Sequence, residues 1–123
     1  MDRLEEIIRA NPQINQQLPT PRVIESTDDV INLDEPFTLE LPPIDTSLFG
    51  HVLLLFVNAE GGDSPHDLAF VPAVADQPAT HIVDNDTLSP PFTRDHTAVL
   101  KAYVQDKITL KWQRTPDSVI YAF

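Results

Sequence analysis

The chain has 123 residues, with 19 acidic side chains against 8 basic ones, 12 prolines, 3 glycines and no cysteine. That length suits one domain, and the missing cysteine excludes a disulfide scaffold, thiolate metal sites and a cysteine nucleophile. A formal charge of −11 opposes direct binding to nucleic-acid phosphates, and no apolar run approaches the roughly 20 residues of a membrane-spanning helix.

Residues 2–10, DRLEEIIRA, read as a short helix. Leu4, Ile7 and Ile8 fall at i, i+3 and i+4, on one face. Asp2 suits the N-cap, Glu5 completes a capping-box pattern, and Asn11-Pro12 is a stop signal. So short a helix is marginal in water unless that face docks on its own domain, on a partner or on a second copy. The segment has no long apolar stretch, so it does not read as a secretory signal. Synthesis in the cytoplasm, compatible with incorporation into a phage particle, is the expectation. Residues 13–21, QINQQLPTP, read as an extended linker. The expected organisation is a helix and linker at 1–21, followed by a β domain at 22–123.

From Arg22 onward the texture changes to short β-type runs broken by proline and aspartate. Residues 22–25 and 30–33 are two short candidates. Phe37, Leu39 and Leu41 alternate with Thr38 and Glu40, and Pro42-Pro43 ends that strand. Residues 52–57, VLLLFV, read as a central strand buried on both faces. Residues 68–71 and 80–83 follow. Residues 98–105 and 107–112 are expected to pair around Asp106, with Ile108, Leu110 and Trp112 on one face. Residues 118–123 close the domain as a terminal strand that alternates Val119, Tyr121 and Phe123. Short strands at this spacing, with turn signals between them, predict an all-β antiparallel sandwich.

Charge is unevenly distributed. Residues 23–93 hold thirteen of the nineteen carboxylates and no lysine or arginine, whereas residues 94–123 are net basic. Such asymmetry bears on partners and association rate. Asp28, Asp29, Asp63, Asp67, Asp84 and Asp86, together with Leu4, Ile7 and Ile8, are the candidate partner-binding residues. The loops around Asp28-Asp29, Asp63 to Asp67 and Asp84-Asn85-Asp86 carry the hard oxygens that calcium prefers. Aspartate and asparagine are also ordinary turn residues, so calcium is weighed as a cofactor, and none is required. His51, His66, His81 and His96 recur at even spacing, but their flanks do not match and no HExxH is present. No G-x-S-x-G elbow surrounds any serine, and no catalytic residue is assigned.

Between Pro21 and Gln105 the opening PRVIES, the FTLELPP strand, the VLLLFV strand before an acidic Gly-containing turn, and LSPPF followed by AVLKAYV form a recognisable texture. It resembles bacterial and phage immunoglobulin-like modules, which occur in surface proteins and on phage particles. The resemblance implies an immunoglobulin-like β-sandwich and transfers no functional residue, because fold does not imply function. Two functions are expected from the whole. The first is a non-enzymatic structural or interaction module, such as a virion or cell-surface assembly component tethered by its N-terminal segment. The second is an acidic inhibitor that blocks a basic nucleic-acid-binding or toxin surface as a nucleic-acid mimic. The arrangement of the carboxylates separates them: scattered carboxylates favour the first, and carboxylates gathered on one surface favour the second.

Overall fold

Two sequence patterns organise the fold: the strict alternation at Phe37–Leu41 and the unbroken apolar run within 52–57. The computed structural model describes residues 6, 7, 9, 12–32, 35–59, 67–84 and 97–122. In chain order the strands are β1 (Arg22–Val23), β2 (Phe37–Leu41), β3 (Phe49–Asn58), β4 (Asp67–Pro72), β5 (Ala79–Val83), β6 (Ala98–Asp106) and β7 (Trp112–Arg114). They form two antiparallel sheets, ordered β1-β2-β5 and β4-β3-β6-β7. The fold is therefore mostly β and sandwich-like.

One core lies between the sheets. Phe37, Leu39 and Leu41 of β2 pack with Val52, Leu54 and Phe56 of β3 and with Leu100, Ala102 and Val104 of β6. The rings of Phe37 and Phe56 lie 5.5 Å apart and tie the sheets together at one end. A second, smaller core covers the outer face of the larger sheet. There Leu53 and Leu55 of β3 and Tyr103 of β6 pack under Ile7, with Leu68 and Trp112 alongside. Burial raises the pKa of the Tyr103 phenol, with the Arg114 charge opposing the shift and Asp117 adding to it.

β3 thus buries both faces, as its apolar run requires. Its bulge between Phe49 and His51 brings Gly50 against the Lys107 stem, where an added Cβ would sit 3.3 Å from Lys107 Cγ.

The N-terminal segment lies on the domain. Ile7 is only 2% exposed. Arg114 N–H donates to Gln13 O, and Asn15 N–H donates to Arg114 O, which adds residues 13–15 alongside β7. Glu6, Ile7 and Arg9 have helical backbone, but no helix is defined among the described residues, and Leu4 and Ile8 lie outside them. No helix of the described residues is long and apolar enough to cross a membrane.

The C-terminal segment closes one side of the sandwich. Thr115 N–H donates to Ala102 O, Ser118 N–H to Leu100 O, and Ala98 and Tyr121 exchange both bonds. Ile31 N–H donates to Ala122 O, and Ala122 N–H donates to Asp29 O, so this segment joins the two sheets. The Tyr121 hydroxyl accepts Val23 N–H at 3.0 Å.

Two local expectations change. The pairing of residues 98–105 with 107–112 becomes a hairpin whose turn occupies 107–109 and whose second strand is Trp112–Arg114. Asp106 Oδ1 accepts Ile108 N–H at 2.8 Å and Thr109 N–H at 2.9 Å, and that side-chain turn outcompetes continued strand. The expected alternation near the C-terminus is replaced by an exposed Val119 and a buried Tyr121.

Asp28 and Asp29 form the centre of a tight turn between Thr27 and Val30, with φ of 51° and 63°. A mirror-type turn needs this geometry, and glycine adopts it at lower cost. Asp29→Gly is expected to stabilise the fold by about 1 kcal/mol in urea denaturation. Leu54 is fully buried. Leu54→Asp is expected to cost about 4 kcal/mol or more and to abolish the cooperative transition followed by circular dichroism.

Candidate functional site

The strand registers define two ends of the sandwich with different chemistry. At the first end lie the start of β2 and the ends of β3 and β5, where Phe37 pairs with Val83 and contacts Phe56. Glu25, Asp28, Asp29, Glu35, Asp67 and Asp84 all belong to this end. Short loops place these side chains. Glu25 leaves β1 and turns back on β2, accepting Thr38 N–H at 2.6 Å and the Thr38 hydroxyl at 2.8 Å. Asp28 and Asp29 project from the tight turn and are exposed. Asp84 follows β5 directly and is exposed.

Asp67 differs from the others. It lies half-buried where the inner faces of β4 and β5 meet, 3.2 Å from His81 Nε2. The contact crosses from one sheet to the other and becomes an ion pair when the imidazole is protonated.

The structure thus gathers Asp28, Asp29 and Asp84 at one end, sets Asp67 at its margin on His81, and buries Ile7 in the outer core. Of the other sequence candidates, Leu4, Ile8, Asp63 and Asp86 lie outside the described residues. Among the described residues no group of three or more histidine, aspartate or glutamate side chains is placed to hold a metal ion. The loops proposed for calcium lie largely in 60–66 and 85–96, outside those residues.

Not every carboxylate of the acidic stretch faces this end. Glu40 is buried on β2 and accepts from Arg22 Nε at 2.7 Å, so its charge is matched within the sheet. Asp45 belongs to the opposite end, where the Ser47 hydroxyl and amide hold its carboxyl below the usual range.

The opposite end carries the β6–β7 hairpin tip. Ile108 is 89% exposed and Leu110 63% exposed, and Lys107 and Lys111 flank them. Leu110 has a left-handed φ of 61°. Lys107 N–H donates to Leu48 O and fixes the tip to the β2–β3 connection. Sequence periodicity missed this tip by reading Ile108 and Leu110 as one strand face. The Asp-x-x turn signal at Asp106 could have located it.

Beside the hairpin, Trp112 separates two grooves on the outer side of the larger sheet. One, of about 470 Å³, is bordered by Ile7, Pro12, Leu110 and Lys111. The other, of about 490 Å³, runs between residues 13–17 and Gln113. Phe70 meets the Trp112 ring edge-on at 6.2 Å.

Comparison with known proteins finds no matching family model, curated protein or solved structure.

The hairpin tip makes a pH-dependent prediction. The amides of Thr109 and Ile108 hold the Asp106 carboxyl below its ordinary pKa. A carboxyl with a lowered folded pKa stabilises the fold above its unfolded pKa and loses that contribution as pH falls through the folded value. Acidification is therefore expected to loosen the turn, read as amide NMR shifts of Ile108 and Thr109 that titrate together below the ordinary carboxylate range. Asp106→Ala is expected to abolish that titration.

Proposed function

We propose that the chain is a non-enzymatic protein-interaction module that docks by its acidic end on a basic protein surface. The observation that carries this reading is the placement of Glu25, Asp28, Asp29, Glu35, Asp67 and Asp84 at one end of the sandwich, all but Asp67 exposed. Clustered exposed charge of one sign speeds encounter with an opposite surface and discriminates against acidic partners. Gathered carboxylates favour an acidic protein that occupies a basic surface, whether of a nucleic-acid-binding protein or of a toxin.

The second reading, a structural component of a virion or cell-surface assembly, has its own support. Ile108 and Leu110 are solvated at the far end between two lysines, and such a tip suits a second contact. A module with partners at both ends would bridge them. The immunoglobulin-like expectation for residues 21–105 fits either reading, and two antiparallel sheets packed face to face support it. In both, the N-terminal segment contributes to the module's own surface through Ile7 and residues 13–15.

The test is comparative capture of partners by the wild-type chain and by the triple variant Asp28→Asn, Asp29→Asn, Glu35→Gln, each at low and high salt. Basic partners are expected on the wild type at low salt and to be lost at high salt. The variant is expected to associate with them about threefold to tenfold more slowly. Equal capture by variant and wild type would reject the acidic end as the docking surface.

A further inference from the structure

The groove between residues 13–17 and β7 differs in chemistry from the rest of the surface. Its walls present the amides of Gln13, Asn15, Gln16, Gln17 and Gln113 together with the Ile14 side chain and the indole of Trp112. No lining residue carries a charge, although 22% of the chain is charged. A cationic ligand would find no carboxylate there, and an anionic ligand would find no ammonium or guanidinium group. A purely apolar ligand would desolvate several amides without replacing their hydrogen bonds.

The ligand that fits is neutral and dense in hydroxyl groups. Each hydroxyl both donates and accepts a hydrogen bond, and so does each carboxamide, which makes the pairing tolerant of geometry and complete. An indole supplies the flat apolar platform that suits the C–H face of a sugar ring. We propose that this groove is a binding site for a neutral saccharide.

The groove is held in shape before any ligand arrives. Asn15 is its clasp: its N–H donates to Arg114 O at 2.8 Å, and its Nδ2 donates to Gln113 Oε1 at 3.0 Å. Its Oδ1 accepts Gln17 N–H at 3.0 Å, and its carbonyl accepts Leu18 N–H. Phe70 braces the Trp112 ring from across the sheet. Preformed walls reduce the ordering cost of binding. The volume of about 490 Å³ lies within the ~300–1,000 Å³ span of small-molecule sites. Gln16 and Gln17 are exposed, and neither side chain takes part in the Asn15 clasp, so both are placed to contact a ligand. The groove runs along β7 and shares no residue with the acidic cluster, and it stands or falls independently of the docking function proposed above.

Trp112 is the chain's one tryptophan and borders both grooves, so its fluorescence reports on the pair and the Gln16 and Gln17 variants assign a change to this one. The experiment titrates the full chain with maltose, cellobiose, lactose and di-N-acetylchitobiose at millimolar concentrations, in low and high salt, beside a neutral peptide rich in glutamine and proline. At least one disaccharide is expected to give a saturable change that salt does not alter. Gln16→Ala and Gln17→Ala are each expected to weaken it about fivefold, the equivalent of one hydrogen bond. Trp112→Ala is expected to abolish binding by calorimetry while keeping the wild-type circular dichroism. If that variant is unfolded, the Gln16→Ala, Gln17→Ala double variant decides. The site is overturned if no saccharide gives a saturable change, if the double variant binds as tightly as wild type, or if the peptide alone produces the response.

Discussion

Strand β3 has no face to give to water, and the rest of the molecule follows from that. Val52, Leu54 and Phe56 need one apolar layer, and Leu53 and Leu55 need another on the opposite side. The small sheet supplies the first through Phe37, Leu39 and Leu41. No third sheet exists among the described residues to supply the second. The N-terminal segment does so instead, by setting Ile7 over Leu53, Leu55 and Tyr103. Once residues 13–15 are drawn along β7, grooves form on both sides of Trp112.

The two ends diverge because different physics governs their loops. At the acidic end, tight connections are made by aspartate and glutamate side chains that remain exposed or hold backbone N–H groups, as Glu25 does on Thr38. At the other end Asp45 and Asp106 are occupied in turns, while the exposed side chains include Lys107, Ile108, Leu110 and Lys111. A chain with one net sign can thus present two chemically distinct poles.

Periodicity revealed much of the sandwich. The alternation at Phe37–Leu41 and the apolar run in β3 each have one stable solution, a half-buried strand and a fully buried one. The hairpin was harder to read, because Ile108, Leu110 and Trp112 also alternate and only the geometry of the Asp106 turn breaks the pattern. The acidity of one end was visible as composition, but its gathering depends on pairings such as Phe37 with Val83. Residues 13–17 look like a linker because glutamine and proline carry no apolar signal. Their contact with β7 lies nearly the whole chain away in sequence, and no local pattern encodes it.

The bond between Val23 N–H and the Tyr121 hydroxyl spans a sequence separation of 98 residues, and Ala122 binds both Asp29 and Ile31. Contacts of that separation form only after a large loop has closed, and the entropy of closing it is lost before the contacts compensate. The side of the sandwich sealed by the C-terminal segment therefore carries a larger closure cost than the hairpins do. Without that segment in place, Val23 and Ile31 lack their cover, and uncovered apolar surface of this kind is where partly folded β chains aggregate.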